Sequence, residues 1–169
     1  VTIHLEQTGP AYTGDWTLRL GDRWSRNDER WVSLQLERGD DRRWGTSVRL
    51  ADLEGLGQAP QDFTGDARFA LKRDAGTIDF EGRFAGGRGR GTYRFTPSQA
   101  YIDDMRQMGF TLDDDDRFRV MALDVSRAFV RSIQGEGYRS ASLDDLVRMR
   151  IHGVDAEYIR AYRTSGYDN

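Results

Sequence analysis

YIDDMRQMGF from Tyr101, FVRSIQGEGY from Phe129 and YIRAYRTSGY from Tyr158 are three versions of one ten-residue phrase, starting 28 and 29 residues apart. Positions one, two and five are apolar in each copy: Tyr101, Ile102 and Met105; Phe129, Val130 and Ile133; Tyr158, Ile159 and Tyr162. On a helix that spacing makes one stripe. Position nine is glycine every time (Gly109, Gly137, Gly166), where a left-handed residue would close the helix, and an aromatic follows (Phe110, Tyr138, Tyr167) that can fold back onto the last turn. Three residues before each phrase stands a helix-capping residue: Ser98, Ser126, Asp155.

Working outward, the tail reads as an array of about five short helices in repeated pairs, with units near 97–110, 113–138 and 142–167. Thr96-Pro97-Ser98-Gln99 supplies a capping threonine with proline at the first helical position, so a helix starts there and runs to Met108. The run Asp113 to Asp116 caps a second helix through Leu123, with Phe118, Met121 and Ala122 inward. The third covers Ser126 to about Gln134. Ser142-Leu143-Asp144-Asp145 has the capping-box pattern and opens a fourth, offering Leu143, Leu146, Val147 and Ile151 to the core; Gly153 ends it and Asp155 opens the fifth. Helices this short are marginal alone, so each must bury its stripe against neighbours.

Residues 1–95 have a different period. Val1, Ile3 and Leu5 alternate with polar residues, as do Trp16, Leu18 and Leu20, and Val32, Leu34 and Leu36; Val48, Leu50, Phe69, Leu71, Ile78, Phe80, Tyr93 and Phe95 continue the pattern. Turn signals fall at Gly14-Asp15, Gly21-Asp22, Gly39-Asp40, Asp74-Ala75-Gly76 and Gly86-Gly87. Asp52 to Leu56 reads as a brief helical turn and Gln58 to Phe63 as a loop. The fold class is therefore α+β: an antiparallel β domain of about seven strands over 1–95, a sandwich or small barrel with little room inside beyond its own side chains, and a helical repeat domain over 96–169.

Two segments carry a family resemblance. SLDDLVRMRIHGVDAEYIRAYRTSGY, from Ser142, resembles a repeat found beyond the membrane segments of sensors related to BlaR-type metallopeptidases and in some anti-sigma-type proteins. RDAGTIDFEGRFAGGRGRGTYRFTPS, from Arg73, resembles the β-rich stretch that leads into those repeats. Together they cover roughly 67–169. The zinc-binding His-Glu-x-x-His of the metallopeptidase is absent, so no protease role carries over. What the resemblance implies is a bacterial, extracytoplasmic, non-catalytic sensing or interaction module with a protein partner.

Composition bounds the alternatives. The 169 residues carry no cysteine, which excludes disulfides and thiolate metal sites; Lys72 is the one lysine among 25 basic residues, a coding bias. Residues 1–95 balance 15 basic against 15 acidic side chains and 96–169 carry 10 against 13, so neither half has the positive excess of a nucleic-acid binder. No apolar run is long enough to span a bilayer, and the strand-like start VTIHLEQT is compatible with loss of a leader or anchor.

Catalytic and cofactor chemistry finds no constellation. His4 and His152 are the only histidines and lack zinc-site spacing; His152 suits a helix end before Gly153. Ser126 or Ser142 lacks a nucleophile elbow. Counted as an EF-hand from Asp113, positions six and twelve hold Phe118 and Asp124 where glycine and glutamate are required, so the acidic run is a helix start and no metal is expected. Gly-Gly-Arg-Gly-Arg-Gly within 86–91 precedes a strand, not a helix, and reads as a tightly packed hairpin instead of a phosphate cradle. Met108-Gly109-Phe110 has the look of a ubiquitin-associated loop, and Gly153-Val154-Asp155 that of a helix-hairpin-helix corner; the repeat accounts for the first, and the Asp155 charge opposes phosphate in the second. Tyr12, Trp16, Trp24, Trp31 and Trp44 are the candidate binding residues. Core packing is their ordinary use, and two tryptophans sharing an exposed sheet face with Tyr12 would instead make a carbohydrate platform. The leading expectation is a non-enzymatic interaction module, and the alternative is a carbohydrate- or peptide-binding β domain buttressed by helices.

Overall fold

A computed structural model describes residues 12–20, 24–26 (backbone only), 29–39, 42–57 and 59–165. The strand expected over 1–5, the turn at Gly21-Asp22, and Asp40, His4, Gly166 and Tyr167 lie outside these residues. The elements are β1 (Thr13–Arg19), β2 (Trp24–Arg26), β3 (Glu29–Arg38), β4 (Arg42–Arg49), β5 (Leu53–Glu54), β6 (Gly65–Arg73), β7 (Gly76–Ala85) and β8 (Arg88–Pro97), then α1 (Gln99–Gln107), α2 (Asp114–Ala122), α3 (Arg127–Gly135), α4 (Leu143–Ile151) and α5 (Ala156–Thr164). The chain divides into two compact units, Val1–Lys72 with Thr77–Thr96, and Arg73–Gly76 with Pro97–Asn169. The turn between β6 and β7 thus belongs with the helices, although its sequence marks it only as a hairpin loop.

The strands of the first unit form a single antiparallel sheet in the order β2-β3-β1-β8-β7-β6-β5, with β4 on the other side of β3. β1 and β2 act as one interrupted strand: Leu18 is opposite Leu34 and Trp24 opposite Trp31, six positions along one strand against three along its partner. Counted that way there are seven strands among the described residues. Laid flat they would hold the outermost ones roughly 29 Å apart, at about 4.8 Å per step. Yet β4 and β5 are joined only by the three-residue 3-10 turn Leu50–Asp52, which reaches at most about 14 Å. The sheet must therefore curl, and among the described residues it does so as a half barrel, neither a two-layer sandwich nor a closed barrel. The helical turn expected over 52–56 is also corrected: it lies at Leu50–Asp52, and Leu53-Glu54 pair with Leu71 and Ala70 as a strand.

Alternation sets which face is filled. Trp16, Leu18, Leu34, Leu36, Val48, Phe69, Leu71, Ile78, Phe80, Phe84, Tyr93 and Phe95 are all buried, while the residues between them are mostly exposed. Trp16 sits centrally, edge-on to Phe69 at 5.0 Å and Phe80 at 6.0 Å, with Phe69 and Phe80 stacked at 4.6 Å. Its indole N–H donates to the Glu81 carbonyl at 3.2 Å. Room for the indole comes from glycine: Gly91 is the residue opposite Trp16, and a Cβ on Gly82 would stand 2.8 Å from Trp16 Cζ2 and collide with the Arg90 carbonyl. The same crowding explains Gly14, expected as a turn but found inside β1, where a Cβ would collide with the Glu37 carbonyl. Glycine here signals close backbone approach.

In the second unit each helix has nine residues and a side-chain cap. Ser98, Ser126 and Asp155 accept hydrogen bonds from the N–H of Tyr101 (3.2 Å), Phe129 (3.1 Å) and Tyr158 (2.7 Å). Asp113 with Asp116 and Ser142 with Asp145 form reciprocal capping boxes. The Thr96-Pro97 start is corrected: both residues end β8 and Ser98 is the cap, in keeping with the extended backbone that a residue before proline prefers. Gly109, Gly137 and Gly153 have φ of 100°, 98° and 69°, and Phe110, Tyr138 and Val154 donate back to Met105, Ile133 and Met149. Asp124, φ 54°, does the same work after α2, with Val125 donating to Val120. α1 packs on α3 and α3 on α5. Burial differs among the three phrases: Tyr101, Ile102, Met105, Phe129, Val130 and Ile133 are buried, whereas Tyr158 and Tyr162 are 54% and 51% exposed and only Ile159 of that copy is covered. Of the four α4 residues expected in the core, Leu146 and Val147 are buried, Leu143 is half-buried and Ile151 is 59% exposed.

Candidate binding surfaces

The most connected polar group of the helical unit is Arg127. Its guanidinium holds Asp74 through Nε and Nη2 (3.0 and 2.7 Å) and Asp104 through Nη1 (2.7 Å), and its backbone N–H donates to Asp74 at 2.7 Å. Arg127 is the first residue of α3, so Asp74 places a carboxylate at that helix's N-terminus, where charge and orphan N–H groups favour it. These hydrogen bonds hold the Asp74 carboxyl below the usual carboxylate range. Arg73 Nη1 donates to the Met121 and Ala122 carbonyls at 2.8 and 2.9 Å, closing the end of α2. Tyr101 donates its hydroxyl to the Val125 carbonyl at 2.5 Å, and burial raises its pKa. These bonds tie the hairpin turn to the helices of the same unit.

The tryptophan side chains described, Trp16, Trp31 and Trp44, divide between the two faces of the sheet. Trp16 is 1% exposed and Tyr12 is 9% exposed against Phe95, so neither stands on an exposed sheet face. Trp44 is opposite Leu36, on the filled face, with the Arg38 guanidinium 5.3 Å over its ring. Trp31 is opposite Arg49 and Trp24 and alternates with Val32, so it belongs to the other face; its indole N–H has no acceptor among the described residues. The Trp24 side chain lies outside the described set.

The acidic run Asp113–Asp116 serves the α2 start, where Asp113 and Asp116 bond each other's N–H groups and burial raises the Asp116 pKa. His152 is the C-cap of α4, its N–H donating to the Arg148 carbonyl at 3.0 Å. Among the described residues no group of three or more His, Asp or Glu side chains is placed to hold a metal ion. No described helix is long and apolar enough to cross a membrane.

Two surfaces remain. One is the outer face of the sheet, where shallow grooves run between long side chains of β1, β3, β6, β7 and β8. Sequence reading by composition missed it because the domain's charges cancel in sum; the strand register separates them. The other is on the helical unit, where Tyr138, Ile151, Tyr158 and Tyr162 are the large apolar side chains left exposed among the described residues. Tyr158 and Tyr162 are four apart on α5 and share a face. Tyr138 lies under the Arg163 guanidinium at 5.5 Å, and Glu136 binds Arg160 and Arg163 at 3.2 and 3.4 Å. Comparison with protein-family models, with curated proteins and with solved structures gives no match.

Proposed function

We propose that this chain is a non-catalytic protein-interaction or sensing module of an envelope-associated protein, akin to the extracytoplasmic regions of BlaR-type sensors that its 73–98 and 142–167 segments resemble. In this reading the helical unit is an array of repeated helix pairs, and its α4–α5 end receives the partner. One observation carries it: every large apolar side chain exposed among the described residues lies between the end of α3 and the end of α5. Solvated aromatic and aliphatic groups concentrated on α4, α5 and the loop that precedes them favour a protein contact, since aromatics dominate interface energetics. A photo-crosslinking amino acid placed at Glu157, beside Tyr158, in cells of the native host tests the reading. A discrete protein adduct is expected, lost in the Ile151→Ser/Tyr158→Ser variant and kept in Arg43→Ser. An adduct pattern unchanged by the double substitution would refute it.

A further inference from the structure

We infer that the outer face of the sheet, where β7, β8 and β1 run side by side, is a binding site for an acidic glycan. The register builds the site. Gly86-Gly87, with φ of 57° and 81°, is a two-residue turn between Ala85 and Arg88, which sets Arg83 opposite Arg90. On the far side of β8, Arg88 is opposite Arg19 and Arg90 opposite Thr17, and Thr17 is in turn opposite Gln35 of β3. Two rows result, Arg83-Arg90-Thr17-Gln35 and Arg88-Arg19, on a grid of about 4.8 Å across strands and about 6.7 Å along them. All six side chains are exposed.

Four guanidiniums are thus gathered on a protein whose net charge is −3. Arg19 has a partner of its own, and Asp66 pairs with Arg83 at 3.1 Å. Arg88 and Arg90 have no acidic partner among the described residues. Like charges facing each other across strands destabilise a sheet, and Arg88 with Arg19 and Arg90 with Arg83 are two such pairs side by side. In the next row along, where Asp15 is opposite Glu37, the arginines are answered: Arg43 pairs with Glu37 at 3.2 Å and Arg68 with Glu81 at 3.2 Å.

The geometry narrows the anion. β8 and β1 are central strands with both edges paired, so a peptide cannot join here by adding a strand. No exposed aromatic stands on the grid, so it lacks the stacking platform that single-stranded nucleic acid uses. What it offers is planar forks for carboxylate or sulfate, flanked by the hydroxyl of Thr17 and the amide of Gln35. A chain of sugars alternating acidic groups with hydroxyls matches both halves of that surface.

The test is titration calorimetry of the full chain at 50 mM and 300 mM NaCl against heparin fragments, polygalacturonate, dextran, poly-glutamate and a single-stranded oligonucleotide. Binding to at least one of the two acidic glycans is expected, weakened at the higher salt, with none to dextran; the arm that binds identifies sulfate or uronate as the anionic group. Arg88→Thr/Arg90→Thr should lose about tenfold or more in affinity while its urea midpoint stays at or above that of the parent, because a like-charge contact is removed. Arg90→Lys, which keeps the charge and removes the fork, should lose part of it, and Arg106→Ser on α1 none. Absence of binding to both acidic glycans, undiminished binding by the folded double variant, or equal affinity for poly-glutamate or the oligonucleotide would overturn the assignment.

Discussion

Asp74→Asn is the substitution that tests most directly how the helical unit is held. In the parent, Asp74 accepts four contacts from Arg127, from the backbone N–H, twice from Nε and once from Nη2, at 2.7 to 3.2 Å. Both side chains are about three-quarters covered. The neutral amide keeps one acceptor and loses the charge, so it should retain the backbone bond and lose most of the charge-assisted pair. Such bonds contribute about 1.5–3 kcal/mol each to stability but do not add, and Arg127 keeps Asp104; a net cost of about 2 kcal/mol follows. Helix-terminus electrostatics contributes a fraction of that sum. The pH dependence supplies a second readout. Because the folded pKa of Asp74 is depressed, its stabilisation is present above the unfolded carboxylate value near ~3.9 and is lost as pH falls through the folded value. Urea titrations followed by helical circular dichroism should therefore show a gap between parent and variant that is constant from pH 7 to 5 and narrows below pH 4. Equal midpoints at pH 7, or a gap that persists unchanged to pH 2, would refute the assignment of the clamp to the Asp74 charge.

Gly135 and Gly137, two residues apart, should respond to alanine with opposite signs. Gly135 is helical with open space at its Cβ position, so Gly135→Ala should raise stability by about 0.5–1 kcal/mol. Gly137→Ala meets nothing closer than Arg163 at 4.0 Å but sits at φ 98°, so it should cost about 1 kcal/mol from backbone strain alone; urea unfolding of the two variants checks the pair. Gly82→Ala should be far more damaging, since its Cβ meets the Arg90 carbonyl and the Trp16 ring together. A loss of about 3 kcal/mol or more is expected, with a shifted Trp16 near-ultraviolet signal.

The elements were legible wherever a signal was local. Alternating apolar residues identify β1, β3, β7 and β8 because one face is filled by the chain's own aromatics, and Ser98, Ser126, Ser142 and Asp155 identify helix starts because a cap acts within three residues. Glycine was misread at position 14 because the same residue serves a turn and a close approach of strands, and only the partner strand distinguishes them. The Asp74–Arg127 pair joins residues 53 positions apart and leaves no periodic trace. The candidate surfaces were less legible still. The aromatics singled out as binding residues include Trp16, which fills the core, while the arginine grid emerges only when a two-residue turn fixes Arg83 against Arg90.

The three phrases show why periodicity states a capacity for burial and not burial itself. All three place their first residue third in a nine-residue helix behind a side-chain cap, so the local code is read the same way each time. The stripe of α1 and that of α3 are covered, α3 lying against both α1 and α5. α5 lies against α3 by one side, burying Ala156 and Ile159, and turns Tyr158 and Tyr162 outward. The apolar pattern alone cannot distinguish these outcomes, because it describes one helix and burial needs two. Leaving the two tyrosines in water forgoes part of the transfer free energy that full burial of such rings supplies, on the order of 2 kcal/mol each. That unclaimed free energy is what a partner seated on α5 would gain, and it is why crosslinking beside Tyr158 probes function where the same experiment at the buried Tyr101 would probe only folding.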